Sequence, residues 1–249
     1  SAGNIGIGGA VTVHVVAIKT RAVIANTAVI NLGSGVLKLN AESYEEVTTN
    51  AEATSTESGG KVGVGAGIAV CAAGFDTVSG VQNGTPVRMQ AGSVGDVSIT
   101  ATNDLSEAMK AAAGSAGGVS VTPVLGLDIS GAFVQAYLGS TPDTGANATL
   151  VSSGDIEIKA SSKSVRETAA NAAAAGGNVG VGGSFMITVL NDGAKSYLKR
   201  SVTGKNVTVS AVARSSLKST SRAGSNGSSS SSSSASSSGS GDSSGDSDS

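Results

Sequence analysis

The stretch GGKVGVGAGIAV at residues 59–70 decides the fold, because glycine and aliphatic residues alternate in it with the period of a β-strand. Three further copies read AGNIGIGGAVTVHV at 2–15, GGVSVTPVLGLDI at 117–129 and GGNVGVGGSFMITV at 176–189. The first aliphatic residues of the copies, Ile5, Val62, Val119 and Val179, are separated by 57, 57 and 60 residues. Such even spacing is typical of a repeat protein.

Two more strand patterns follow each copy in phase. A short second strand is predicted around Val23, Gly80, Tyr137 and Tyr197. A third strand alternates as Leu37, Leu39, Ala41; Val97, Ile99, Ala101; Ile156, Ile158, Ala160; and Val207, Val209, Ala211. The sequence therefore predicts a four-repeat β domain over residues 1–224, with repeats at 1–58, 59–116, 117–175 and 176–224.

The expected fold class is all-β, as a β-solenoid-like stack in which successive repeats bury their Val, Ile and Leu faces. An antiparallel β-sandwich or prism is the alternative. In the first copy Ile5 and Ile7 share one face and Gly6 and Gly8 the other, and so bare a face allows another sheet or chain to approach closely. The Ala-rich segments at 105–118 and 165–177 are interpreted as extended, because their counterparts in the other repeats are rich in Thr and Ser.

Composition agrees with a long, narrow core. The 249 residues are 39% hydrophobic but only 2% aromatic, with 36 Gly and no Trp. The lone cysteine, Cys71, excludes an intrachain disulfide. Residues 225–249 consist almost entirely of Ser, Gly and Asp, which predicts a disordered linker or stalk.

Charge is distributed unevenly between the repeats. Residues 1–58 carry 3 basic and 5 acidic groups, whereas residues 176–224 carry 7 basic and 1 acidic. We hypothesise that this polarity guides head-to-tail assembly of the chain with itself or with adjacent repeats, the alternative being drift among solvated positions. The candidate assembly interface comprises Glu42, Glu45, Glu46, Lys195, Lys199, Arg200 and Lys205. Reversing Lys199, Arg200 and Lys205 to Glu should weaken assembly. Nucleic acid is not an expected partner, because no aromatic platform accompanies the basic residues.

No catalytic, cofactor-binding or metal site is expected, and the chain is not predicted to be an enzyme. Gly63, Gly65 and Gly67 lie inside a strand rather than in a phosphate-binding loop before a helix. If the repeats stack directly, His14, Cys71, Asp128 and Thr188 form a column, although a metal site is not expected there. Asn83 and Asn147 are candidate N-glycosylation sites in predicted loops.

The pattern GGNVGVGGSFMITVLNDGAKSYL at 176–198, followed by VTGKNVTVSA at 202–211, resembles the glycine-rich repeats of large bacterial filamentous adhesins of the leukotoxin and haemagglutinin types. The resemblance implies an extracellular or cell-surface protein built on stacked β-repeats, and it transfers no catalytic residue. The leading prediction is a non-enzymatic structural segment of an adhesin or filament. The alternative is a module on a rigid β-repeat stalk that binds a host glycan or protein. No membrane insertion is expected.

Overall fold

The computed structural model describes residues 5–25, 28, 30–32, 35–56, 60–82, 87–89, 95–139 and 150–226. Within these residues every regular element is a β-strand, so the predicted all-β class is confirmed. The strands are β1 Ile5–Ile24, β2 Ile30–Leu32, β3 Leu37–Thr56, β4 Val62–Val81, β5 Val87–Met89, β6 Val97–Leu138, β7 Leu150–Val151, β8 Ile156–Leu190, β9 Gly193–Leu198, β10 Val202–Thr203 and β11 Val207–Asn226.

The strands pair in the register of the sequence repeat. Ile5 lies opposite Val62, Val62 opposite Val119, and Val119 opposite Val179, which are the equivalent residues of the four copies. Every pairing recorded between described strands is parallel. The antiparallel alternative is therefore wrong for this part of the chain.

One seven-stranded parallel sheet is arranged as two layers. The front layer contains β1, β4, residues 119–138 of β6, residues 179–190 of β8, and β9. The back layer contains β3, residues 97–116 of β6, residues 156–175 of β8, and β11. β6 and β8 pass from the back layer to the front layer at glycine pairs at 117–118 and 176–177. Two short parallel ladders, β2 with β5 and β7 with β10, lie in the connections that lead from front to back.

The glycine-bearing face of the front strands packs against the back layer. A Cβ atom placed on Gly67 would lie 2.6 Å from the carbonyl oxygen of Ala112, and one on Gly63 or Gly65 would approach the back layer even more closely. The predicted close approach of another sheet to the bare face is thus confirmed. The expectation that the Val and Ile face of these strands is buried is wrong, because layers this close leave no space for large side chains between them. Ile7, for example, points outward and is 79% exposed.

The buried core has two parts. Near the connecting ladders it is aliphatic, and the third strand pattern is buried there in the second and third repeats, with Val97, Ile99, Ile156 and Ile158 at most 1% exposed. The prediction is wrong for the fourth repeat, because β11 is an edge strand and leaves Val207 45% and Val209 42% exposed. Towards the glycine pairs it is dominated by alanine, filled out by a few larger side chains such as Phe75, Leu105 and Met109. The core is consequently thickest where the strands carry no glycine on the inner face.

The predicted second short strand does not exist as a separate element in three repeats, where Val23, Gly80 and Tyr137 continue the 20-residue run begun by the glycine strand. Only the fourth repeat is interrupted, at Asn191 and Asp192, to give β9. The Ala-rich segments are extended, as predicted, within β6 and β8. No helix among the described residues is long and apolar enough to cross a membrane. Residues 227–249, which make up most of the predicted stalk, lie outside the described residues.

Candidate functional site

The outer surface of the front layer carries six consecutive rows of apolar residues, one residue from each of four paired strands in each row. We call these rows the apolar face. The rows are Ile5, Val62, Val119, Val179; Ile7, Val64, Val121, Val181; Gly9, Ala66, Pro123, Gly183; Val11, Ile68, Leu125, Phe185; Val13, Val70, Leu127, Ile187; and Val15, Ala72, Ile129, Val189.

This face is solvent-exposed in the single chain. Val15 is 74% exposed, Val11 69% and Phe185 59%. The outer face of the back layer, by contrast, carries polar and charged residues, including Lys38, Glu42 and an ion pair of 3.1 Å between Asp104 and Lys163. Parallel sheets are normally covered on both faces. Among the described residues, the front layer is covered only on its inner face.

The third row of the apolar face forms a groove across the strands. Its residues are glycine, alanine and proline, whereas the fourth row rises beside it as Ile68, Leu125 and Phe185. The space over the groove has a volume of about 420 Å³. The apolar face therefore contains a ridge, formed by the fourth row, next to a groove, formed by the third row.

Inside the molecule, the predicted column is confirmed. His14 pairs with Cys71, Cys71 with Asp128, and Asp128 with Thr188, each in direct cross-strand register. At the two ends of the column, the side chains contact threonines of the back layer. The His14 Nδ1 atom lies 3.1 Å from the Thr49 hydroxyl, and the Thr188 hydroxyl lies 3.2 Å from that of Thr168.

The middle of the column is buried and acidic. Asp128 is 0% exposed, and neither of its carboxylate oxygens has a hydrogen-bond partner. Burial, together with the neighbouring Glu107 carboxylate, raises the pKa of Asp128 to about 7. A proton on Asp128 neutralises one of two facing carboxyls and supplies a donor towards Glu107. The protonated form is therefore the one that this environment favours.

An arginine from the back layer pairs with two carboxylates at this cluster. Arg166 is fully buried; its Nε atom donates to Glu107 at 3.0 Å, and its two terminal nitrogens donate to both oxygens of Asp192 at 2.6 and 2.8 Å. Burial opposes ionisation of Asp192, but hydrogen bonds from Arg166 and from the Ser215 hydroxyl outweigh it and lower the pKa of Asp192. Arg166 thereby links β6 and β8 to the turn before β9.

Three donor groups among the described residues lie close enough together to hold a metal ion. The Cys71 thiol and the carboxylates of Glu107 and Asp128 have donor atoms within 4.8 Å of one another. Two features oppose a cation there. Arg166 already occupies one oxygen of Glu107, and burial raises the pKa of Cys71 to about 12, so the thiol retains its proton.

The candidate assembly residues do not form one surface. Glu42 and Glu46 point outward from β3, an edge strand, and Lys195 and Lys205 are exposed in the last repeat. Lys199 is exposed beside the Tyr197 ring, with its Nζ atom 4.9 Å from the ring centroid. The two remaining side chains, Glu45 and Arg200, are 8% and 6% exposed. Glu45 accepts a hydrogen bond of 2.6 Å from Asn103, inside the molecule.

Three of the seven basic residues of the last repeat were left out of the candidate interface, although they point outward on the other edge strand of the back layer. Arg214, Lys218 and Arg222 alternate along the exposed face of β11, at the spacing of strand residues that share a face. The even spacing of these three basic residues in the sequence was the signal that could have placed them on one face of a strand. The two sequons at Asn83 and Asn147 lie outside the described residues.

No protein-family model, curated protein or solved structure matches this chain in the comparisons, so the functional argument depends on the geometry of its own residues.

Proposed function

We propose that this chain is a non-enzymatic structural segment of an extracellular or cell-surface adhesin or filament, built as a β-solenoid whose repeats continue end to end. Its cell-surface location is inferred from the resemblance of its glycine-rich repeats to those of filamentous adhesins. The observation that carries the structural role is that, among the described strands, the back layer has an unpaired edge on each side, β3 at one and β11 at the other. Unpaired strand edges are templates for further pairing.

The register between repeats fixes how the next rung would dock. Leu37 pairs with Val97, Val97 with Ile156, and Ile156 with Val207. Continuing that series brings Val207 opposite Leu37 of the next rung, whether that rung belongs to a second copy or to adjacent repeats of the same chain.

This register places unlike charges together. Counting along both strands, Arg222 of one copy faces Glu52 of the next, and Arg214 faces Tyr44 between the carboxylates of Glu42 and Glu46. An ion pair of this kind already joins the last two rungs of the chain, where Lys218 of β11 contacts Glu167 of β8 at 2.6 Å. Exposed ion pairs contribute little stability individually, but complementary charge selects the partner and the register.

The front layer contributes one like-charged contact in this arrangement. Continuing its register brings Lys195 opposite Arg21 of the next rung. Arg21 is already paired with Asp76 at 3.2 Å, which offsets much of the repulsion. The back layer therefore determines the polarity of the joint.

Negative-stain electron microscopy of the purified chain over a range of concentrations tests the proposal, and regular filaments of one width are expected. The triple variant R214E/K218E/R222E should give short particles, whereas the control K61E/K159E, which reverses two exposed charges outside β3 and β11, should still give filaments. Mixing the first variant with E42K/E46K/E52K should restore joints between unlike copies. Filaments of unchanged length from R214E/K218E/R222E would contradict the proposal.

A further inference from the structure

We propose that the apolar face binds the same face of a second copy, forming a two-fold symmetric dimer with the two front layers packed against each other. This inference is independent of end-to-end growth, since it uses the outer surface of the front layer rather than the strand edges. It rests on the size of the face, on its lack of charge and on the shape of its rows.

The size of the face suits a stable dimer. Four strands at a spacing of about 4.8 Å and six rows at about 6.6 Å give a patch of roughly 750 Å² per copy. A standard stable protein interface buries about 800 Å² on each partner. Monomeric soluble proteins rarely expose an apolar patch as large as this one.

Charged residues begin only beyond the six rows. Lys19 and Asp76 occupy the eighth position of the same series, and Arg21 and Lys195 the ninth. No row within the patch contains a charged side chain, so two copies can meet without burying an unpaired charge. A polar margin beside an apolar centre is the usual arrangement of an interface.

The shape of the rows selects a second copy over a general apolar partner. A two-fold axis parallel to the rows, midway between the third and fourth, superposes the ridge of one copy on the groove of the other. Each strand then faces its own counterpart, so that Phe185 lies over Gly183, Leu125 over Pro123 and Ile68 over Ala66. The largest ridge residue meets a residue with no side chain, and the remaining rows pair aliphatic with aliphatic.

This self-complementarity would be unnecessary for a lipid surface, which has no fixed relief. A two-fold interface, by contrast, requires that each residue and its contact exchange roles between the copies. The third and fourth rows satisfy that requirement on all four strands, and the outer rows do so as well, with Ile7 facing Val13 and Val64 facing Val70.

Sedimentation equilibrium on the R214E/K218E/R222E chain tests the dimer, because that background suppresses end-to-end joints. The expected species has twice the chain mass of 23.8 kDa. Adding Leu125→Arg should weaken the dimer on the order of 100-fold, since it buries two like charges in an apolar interface. Val165→Arg is the matched control on the outer face of the back layer, where the valine is 44% exposed, and it should leave the dimer unchanged.

Gly183→Leu distinguishes an interface that depends on shape complementarity from a nonspecific apolar contact. A Cβ atom at Gly183 would meet nothing within 4 Å in the single chain, so the substitution should not disturb folding. It adds apolar area but fills the groove that receives Phe185, and the dimer should weaken by at least about tenfold. Gly183→Leu combined with Phe185→Ala should recover dimerisation.

Any of four outcomes would overturn the proposal. The first two are an R214E/K218E/R222E chain that stays monomeric at every concentration and a Leu125→Arg variant that dimerises as tightly as that chain. The other two are a Gly183→Leu variant that dimerises equally or more tightly and a monomer that floats with phosphatidylcholine vesicles. The last outcome would assign the face to a lipid surface. Far-ultraviolet circular dichroism on each variant establishes that the β-structure is retained.

Discussion

Replacing Asp128 by asparagine should change the pH dependence of folding more than any other single substitution in the internal column. Asp128 is fully buried and faces Glu107 of the back layer, Cys71 of β4 and Arg166 of β8, so its ionised form is costly. The amide of asparagine has nearly the same shape as a protonated carboxyl and can donate to Glu107 as that carboxyl does. The substitution therefore removes the ionisation but keeps a hydrogen-bond donor on the side that faces Glu107.

The magnitude follows from the difference in pKa between the folded and unfolded states. The carboxyl has a pKa of 3.8 as an unperturbed group and about 7 in the folded protein. Because the folded value is raised, the native state holds the proton more tightly, and the stability from this group is complete below pH 3.8. It is lost as the pH rises through 7, by about 4 kcal/mol in total. Above pH 8 the loss is complete and the contribution is constant.

Urea unfolding of the two proteins at intervals between pH 3 and pH 9 measures this effect. The free energy of unfolding of Asp128→Asn minus that of the parent should rise by about 4 kcal/mol between pH 4 and pH 8 and then level off. Asp104→Asn is the control. It removes an exposed carboxylate on the same strand, paired with Lys163, so the corresponding difference should stay within about 1 kcal/mol. A difference for Asp128→Asn that does not vary with pH would refute the reasoning about the buried acid.

Three further substitutions probe the packing, each by urea unfolding at pH 7. Gly67→Ala should lower the free energy of unfolding by about 1–3 kcal/mol, because its Cβ meets backbone, whereas Gly74→Ala, with open space at its Cβ, should be neutral or slightly stabilising. Arg166→Met should cost about 3–5 kcal/mol by leaving buried carboxylates uncompensated, and a cost near zero would show that the cluster is not charged. Leu105→Ala should cost about 2–5 kcal/mol, and a value matching that of Leu217→Ala in β11, where the leucine is 45% exposed, would contradict the assigned core.

The repeat spacing was sufficient to predict the strand register. Aligning Ile5, Val62, Val119 and Val179 in the sequence gives the pairing found in the structure, and from it the column from His14 to Thr188. The prediction succeeds because a parallel stack of equivalent strands pairs each residue with its counterpart in the next repeat. Aligning the repeats in the sequence therefore gives the strand register directly.

The direction in which each face points could not be obtained from hydrophobicity. The rule that aliphatic residues face inward holds for the third strand pattern, where Val97 and Ile99 are buried, but fails for the glycine strands. In those strands the distance between the two layers determines which face is buried, because Gly63 and Gly65 lie against the backbone of the back layer. Alternation shows that two faces differ, and only the partner layer determines which is inside.

The buried cluster of Glu107, Arg166 and Asp192 could not be predicted from the pattern of any single strand. Glu107 and Arg166 lie in two different Ala-rich segments, and they are paired with each other in the back layer. Asp192 reaches Arg166 from a turn that exists only in the fourth repeat, where the strand is interrupted. That contact depends on an exception to the repeat, which the repeat itself cannot predict.

The two proposed contacts differ in direction, and the asymmetry of the molecule limits one of them. Joints between strand edges extend along the stack, whereas contact through the apolar face is perpendicular to it. If both outer faces were apolar, front and back layers could alternate without end, as sheets do in cross-β aggregates. The back layer instead presents charges such as Asp104, Lys163 and Glu167, which would lose their hydration in such a contact. Lateral association is therefore expected to stop at two copies, so that a fibre formed by both proposed contacts would have a width of two front and two back layers at every concentration.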